Sequence, residues 1–542
     1  LKARGLDSRG LSKLLRTLLG MPEFEVAENL GPDLMHSLRL PGRAEALKEV
    51  HQPGHPDRLK RAEARLKFEE LFFLQLWLLK HKHLRKEKSR GIVFPKVGEH
   101  FNAFYSALPF PLTAAQKNVM REIRKDLGSG KQMNRLLQGD VGSGKTLVAL
   151  MSMLIAIDNG CQACIMAPTE ILAGQHFNTL RQFLQEIPVN IGLLTGSTRQ
   201  AERRKLHSAL EDGSLHILVG THALLEDNVK FRQLGLVVID EQHRFGVEQR
   251  ARLWEKGDTP PHILVMTATP IPRTLAMTLY GHLDYSVIDE LPPGRKPVKT
   301  LYYTDRDRLK VFHFMRQQIA QGRQIYIVYP LIQESEALDL KDLMDGYESI
   351  VREFPAPEFA VSIVHGRMKP ADKDYEMLRF KQGETQIMVA TTVIEVGVDI
   401  PNASVMVIEN AERFGLSQLH QLRGRVGRGA DQSYCLLMSS LKLTTEARTR
   451  LKTMVESTDG FLIADVDMRL RGPGDMMGTR QSGNLDIRIA DLVKDEKILT
   501  RAREEAIRLL DSDPGLEKPE NLRYQWELQD RDKRAGVWSR IL

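Results

Sequence analysis

Between about Phe110 and Leu291, short apolar runs alternate with amphipathic segments. "ACIMAP" (Ala163 to Pro168), "HILVG" (His216 to Gly220), "LGLVVIDE" (Leu234 to Glu241) and "HILVMTATP" (His262 to Pro270) are the clearest of these runs. Apolar runs without a polar face predict strands buried on both sides, hence a parallel sheet flanked by helices. A second series follows in "QIYIVYP" (Gln324 to Pro330), "FAVSIVHG" (Phe359 to Gly366), "TQIMVATT" (Thr385 to Thr392) and "ASVMVIEN" (Ala403 to Asn410). Between the two series, "ELPPGRKPV" (Glu290 to Val298) is a proline-rich break that reads as a linker. Both flanks are helical in pattern: "GLSKLLRTLLG" and a long charged and apolar stretch from Arg58 to Lys80 at one end, and the residues after about Leu443 at the other. The fold class expected is α/β, with two tandem parallel-sheet domains over 96–292 and 293–445, a helical segment over 1–95 and a helical extension over 446–542.

Composition narrows the partners. A chain of 542 residues is too long for one core, and a formal charge of +7 favours an anionic partner, with nucleic acid the leading candidate. The three cysteines are too few for a disulfide framework and suit a reducing compartment, so the protein reads as cytosolic. Cys161 and Cys164 form a CxxC with no second pair to complete a metal site, and are expected to be core thiols. The longest apolar stretch, "LFFLQLWLL" (Leu71 to Leu79), falls far short of the roughly 20 residues of a membrane span. The basic run "KHKHLRKEKSR" (Lys80 to Arg90) reads as a solvated helix face, with phosphate contact the alternative. The chain opens on Leu1, not Met, and reads as part of a longer protein.

The candidate chemistry begins at "GDVGSGKT" (Gly139 to Thr146), which fits GxxxxGK[ST] ahead of an apolar helix start. Glycines let successive backbone N–H groups face phosphates, Lys145 supplies charge at the β and γ positions, and the Thr146 hydroxyl suits Mg²⁺. Gly139, Gly142, Ser143 and Gly144 complete this loop. "LVVIDEQH" (Leu236 to His243) then puts two carboxylates at the end of an apolar strand. Asp240 would hold Mg²⁺, and Glu241 would orient and deprotonate an attacking water. "QLRGRVGRG" (Gln421 to Gly429) brings Arg425 and Arg428 from the second series, guanidinium groups suited to charge developing on a γ-phosphoryl or, on composition alone, to nucleic-acid backbone.

Taken in order, "LTAAQ", "GDVGSGKT", "APTEILAGQH", "VGTHALL", "DEQHRFGV", "TATPIPRT", "ATTVIEVGVDIP" and "QLRGRVGRG" resemble the motifs of superfamily 2 helicases. "DEQHRFGVEQR" together with "RLRGPGDMMGTRQSG" (Arg469 to Gly483) is similar to the RecG branch, and "RLKFEELFFLQLWLL" is similar to the helical connector ahead of that branch's motor. The resemblance implies two RecA-like domains, ATP and Mg²⁺ as cofactors, and an ATP-dependent DNA helicase that remodels stalled forks and Holliday junctions. Branched DNA is then the expected partner, single-stranded DNA-binding protein a further candidate, and a monomer the expected state. Gln116 would read adenine, and Gly397 and Asp399 would bind the far side of the nucleotide. Thr169, Gln175 and Thr221 would lie along the DNA backbone, while Arg244, Thr267 and Thr269 would couple hydrolysis to DNA contact. The family also carries a strand-splitting wedge domain before the connector, so fork recognition is not expected of these residues alone.

On its residues alone "RLRGPGDMMGTRQSG" is either a static surface turn or a moving part; the resemblance implies the moving part, a loop that transmits motor closure to the DNA, whose glycines permit unusual backbone angles while Arg471, Arg480 and Gln481 exchange partners. Two other readings compete. A fragment of a transcription-repair coupling factor shares the motor and this loop, and binding to RNA polymerase would favour it. A catalytically silent DNA-binding scaffold is the other, against which the full set Lys145, Asp240, Glu241, Arg425 and Arg428 argues.

Overall fold

The computed structural model describes residues 8–21, 25–88, 90–241, 256, 259–268, 276, 283–292, 296–330, 336–391, 400–427, 429, 431–471 and 487–535. They fall into two compact units, one made of 89–272 and 284–470, the other of 1–88, 273–283 and 471–542.

The larger unit holds two parallel sheets. The first has seven strands, β1 (Asn134–Gly139), β2 (Gln162–Met166), β3 (Ile191–Leu194), β4 (Ile217–Gly220), β5 (Leu234–Asp240), β6 (His262–Thr267) and β7 (Asp284–Ile288), in the spatial order β3-β4-β2-β5-β6-β1-β7. The second has six, β8 (Lys299–Thr304), β9 (Gln324–Tyr329), β10 (Val361–Val364), β11 (Ile387–Thr391), β12 (Ala403–Ile408) and β13 (Tyr434–Ser439), in the order β10-β11-β9-β12-β13-β8. Each of the eight apolar runs read as strands in the two series overlaps one of these strands. Strands β1, β2, β4, β6, β9, β11 and β12 are buried at every position, which is why they lack the alternation of a half-exposed sheet.

Helices cover both faces. The helix Lys145–Asp158 is apolar nearly all round and almost wholly buried, whereas Ala114–Leu127 turns only one stripe inward, through Ala115, Val119, Met120, Ile123 and Leu127. Cys161 and Cys164 are buried core residues, and burial pushes their thiols up to about 11 and about 12. The linker sequence lies between the two sheets, after β7 and before β8.

The smaller unit joins the two ends of the sequence. The 33-residue helix Pro56–Lys88 packs against Glu496–Ser512, Arg43–His51 and Leu522–Ala535. Arg65, fully buried in it, donates to Glu69 at 2.6 Å and to Glu28 at 2.5 Å, so its charge is matched inside the unit. Trp77 Nε1 donates to Asp532 at 2.6 Å, and the Tyr524 ring meets Phe72 edge-on at 5.7 Å. Among the described residues no helix is long and apolar enough to cross a membrane.

One buried histidine couples this fold to pH. The Met133 N–H donates to His262 Nδ1 at 2.9 Å, so Nε2 must carry the hydrogen that faces Ile92 O at 2.6 Å. A second ring proton would displace Met133, and burial holds the ring below its ordinary 6.5 despite the Ile92 contact. The unfolded chain gains that proton near 6.5 while the folded chain resists it, so stability is full above about 6.5 and falls as pH drops. Urea unfolding at pH 7.5, 6.5 and 5.5 should show this loss, and His262→Asn, which offers Met133 an acceptor but cannot gain a proton, should flatten the profile. Equal slopes in parent and variant would assign the pH dependence to other groups.

Candidate active site

The ends of parallel strands gather the residues that the sequence scatters. Because all seven strands of the first sheet are parallel, their C-terminal ends share one edge. On it, β5, β6 and β1 are neighbours, and they end respectively in Asp240, Thr267 and Gly139. Thr169 follows β2 and Thr221 follows β4, two strands paired with each other on the far side of β5. Nucleotide candidates and DNA-backbone candidates therefore occupy adjacent stretches of a single edge.

After β1 the chain turns sharply, with Gly142 at φ +76° and Gly144 at φ +90°. Both lie in the left-handed region that favours glycine. Gly144 is the N-cap of Lys145–Asp158, has no side chain to cap the helix, and leaves its first turn free of acidic residues. Such a helix start, with unshielded N–H groups and the positive end of the dipole, suits phosphate. Lys145 is buried and donates to Gly139 O at 2.8 Å and Asp140 O at 2.9 Å. Thr146 sits in the first helical turn, half-buried, and Ser143 is fully buried with no hydrogen-bond partner for Oγ.

Gln116 is 2% exposed and is not a solvated helix residue. Its Oε1 accepts from Thr113 N at 3.0 Å within a capping box, and its Nε2 donates to Ser143 O at 2.9 Å. The amide thus ties the start of Ala114–Leu127 to the phosphate loop.

The two carboxylates are placed in unlike surroundings. Burial raises Asp240, but the hydrogen bond with His176 Nε2 at 2.8 Å, the charge of Lys145 and the Glu241 N–H outweigh it, leaving the group below its ordinary value. Glu241, at φ +50°, is pushed up to about 7 by burial and by the neighbouring Asp240, with Lys145 and Arg425 pulling the other way. Arg425 comes from the second sheet module, in the turn after the helix Leu416–Arg423, and the approach of the preceding Gly424 to Val141 brings this turn to the phosphate loop.

Of the remaining candidates, Thr169 accepts from Leu172 N at 3.3 Å as N-cap of Glu170–Phe183, and Gln175 lies half-buried on that helix. Thr221 is 1% exposed with no hydrogen-bond partner for its hydroxyl, and Thr267 is buried at the end of β6. Arg471 ends the helix Gly460–Arg471, with its side chain outside the description. Arg244, Thr269, Gly397, Asp399, Arg428, Arg480 and Gln481 lie outside the described residues, as does most of "RLRGPGDMMGTRQSG".

Two histidines escaped the sequence reading. His176 directly follows Gln175 in "APTEILAGQH", and His420 directly precedes "QLRGRVGRG". His420 Nε2 lies 2.7 Å from Asp140 Oδ1. Adjacency to a motif was the only available signal, since nothing in the spacing shows which carboxylate either ring will face.

Three family models match separate stretches of the chain. The DEAD/DEAH box helicase family matches residues 113–278, the helicase conserved C-terminal domain matches 308–430, and the C-terminal part of domain 3 of ATP-dependent DNA helicase RecG matches 457–542. The chain is 49% identical over 480 residues to the ATP-dependent DNA helicase RecG of Synechocystis sp., covering 89% of this chain and 57% of that protein. It is 45% identical over 519 residues to the protein of that name from Streptococcus pneumoniae, covering 96% of this chain and 77% of the relative. A solved structure of RecG bound to a three-way DNA junction is similar at 40% identity and a TM-score of 0.71, over 92% of this chain and 65% of the other. The chain thus spans 57% to 77% of the length of these relatives.

The loop geometry gives a direct test. A Cβ on Gly144 would come within 2.3 Å of Gln116 Nε2 at a φ of +90°. Strain of about 1–3 kcal/mol is expected from the backbone alone. Gly144→Ala should therefore weaken binding of a fluorescent ATP analogue by roughly tenfold or more, while the melting temperature falls only slightly. Affinity within about twofold of the parent would mean that the loop tolerates a side chain there.

Proposed function

Because the chain belongs to the ATP-dependent DNA helicase RecG family, we propose that it is a DNA-dependent ATPase motor that remodels branched DNA, such as stalled forks and Holliday junctions, in the bacterial cytoplasm. The observation that carries the ATPase reading is the convergence of Lys145, Asp240 and Glu241 on one sheet edge, with Arg425 supplied from the other module. The junction-bound relative supports branched DNA as the substrate.

In this reading the Gly142–Lys145 turn cradles the β- and γ-phosphates, and Lys145 exchanges loop carbonyls for phosphate oxygens. The Asp240 carboxylate, kept ionised by its partners, and the Thr146 hydroxyl fit a hard cation that takes most of its ligands from water and phosphate. Mg²⁺ held there would neutralise charge on the phosphates. Glu241 orients the attacking water and takes its proton; a raised affinity for protons suits that task. Arg425 and, by the resemblance, Arg428 meet the charge that develops on the γ-phosphoryl. Thr169, Gln175 and Thr221 would face the backbone of one strand, positioning the motor without reading bases. Arg471, Arg480 and Gln481 would pass motor closure on to the DNA.

ATP turnover measured without DNA and with single-stranded, duplex and forked DNA tests the proposal: stimulation by DNA is expected, and a rate that no DNA changes would overturn it. In the same assay Glu241→Gln should keep ATP and DNA binding and lose turnover by about 10²- to 10⁴-fold, since the amide preserves shape but accepts no proton. A variant that hydrolyses ATP within about twofold of the parent would remove Glu241 from the base role.

A further inference from the structure

We infer that Asp140 and His420 form a positioning pair for ATP hydrolysis, through which the phosphate loop sets the placement of the arginine-bearing turn. This rests on the ATPase reading and adds to it two residues that the motif pattern leaves unassigned.

Asp140 occupies a variable position of GxxxxGK[ST], where the pattern asks nothing of its side chain. Its carboxylate nevertheless accepts from its neighbour Val141 N at 2.6 Å and meets His420 Nε2 at 2.7 Å, while its carbonyl accepts from Lys145. His420 is 3% exposed and stands on Leu416–Arg423 in the second module. Its Nδ1 lies 2.9 Å from Arg423 Nη2. A guanidinium can only donate, so Nδ1 accepts and Nε2 bears the hydrogen given to Asp140. The direction of the relay is thereby fixed: Arg423 to His420 to Asp140.

Arg423 is itself anchored. It is buried and donates to Ser457 O at 2.7 Å and Met454 O at 3.0 Å. The next residue, Gly424, packs so closely on the phosphate loop that a Cβ there would lie 2.8 Å from Val141 Cβ. The residue after that is Arg425. The turn carrying the candidate catalytic arginine is thus fastened to consecutive loop residues, Asp140 by a hydrogen bond and Val141 by close packing. A buried carboxylate–imidazole contact is directional, and it holds only in the register that brings the turn bearing Arg425 against the phosphate loop.

The test is a double-variant cycle in steady-state ATP turnover with forked DNA. Asp140→Ala and His420→Ala should each lower kcat by about tenfold or more and shift KM for ATP by less than about threefold, because a misplaced arginine costs turnover and not binding. The double variant should be no slower than the slower single variant, within about twofold. His420→Gln, whose amide N–H can reach the place of Nε2–H, should recover much of the loss, a rescue that a merely structural role would not produce. Should the alanine variants melt near the assay temperature, Asp140→Asn supplies a second arm: it keeps the shape and an acceptor, loses the charge, and should lower kcat by about threefold or more. Parental kcat in the single variants, multiplicative losses in the double, or a rise in KM at unchanged kcat would each overturn the pair. A parent chain unable to hydrolyse ATP would overturn the ATPase reading and the pair together, whereas an active parent beside an equally active His420→Ala overturns the pair alone.

Discussion

A parallel sheet covered on both faces confines polar chemistry to the ends of its strands. Along β1, β5 and β6 every position but the last of β5 is buried, so a charge placed within a strand loses its hydration unless dedicated partners replace it, as Glu122 and Asp126 do for Arg135 in β1. At the C-terminal edge, charged groups find backbone N–H groups, one another and solvent. The order β5-β6-β1 then makes neighbours of Asp240, Thr267 and Gly139, which are far apart in sequence. The site follows from this topology, and the loops refine it.

The edge concentrates charge, and that charge is balanced locally. Lys145 is buried, yet it makes two backbone contacts and lies in the field of Asp240 and Glu241. Two adjacent carboxylates cannot both ionise cheaply in a shared low-dielectric setting. His176 favours ionisation of Asp240 by hydrogen-bonding it, whereas burial and then the neighbouring Asp240 anion raise Glu241. Environments that drive two adjacent carboxylates apart are those in which one suits a cation and the other a proton.

Much of this was legible in the sequence, for identifiable reasons. Buried parallel strands leave unbroken apolar runs, and a phosphate loop needs glycine at fixed spacing because only glycine takes φ values such as those of Gly142 and Gly144 at no cost. Other features were hidden because they depend on contacts between distant segments. The packing of Glu496–Ser512 on Pro56–Lys88 joins the two ends of the chain, and no local pattern announces it. Gln116 was legible as a candidate, but its use of both amide ends, on Thr113 and on the Ser143 carbonyl, appears only when helix and loop are brought together. His176 and His420 stand beside motifs, and their carboxylate partners are 64 and 280 residues away.

The two hidden histidines have a feature in common. Each faces an aspartate that directly follows or ends a strand of the first sheet, Asp140 after β1 and Asp240 at the end of β5. Their origins differ: His176 comes from the same module as its partner, and His420 from the other. The first contact can therefore persist whatever the second module does, whereas the second exists only while the modules meet. In the proposed reading, cation binding draws on a group held within one module, and arginine placement on a group held between two. A motor that must bind ATP before it commits to hydrolysis is served by that separation, because the step that needs closure is the one whose supporting contact closure makes.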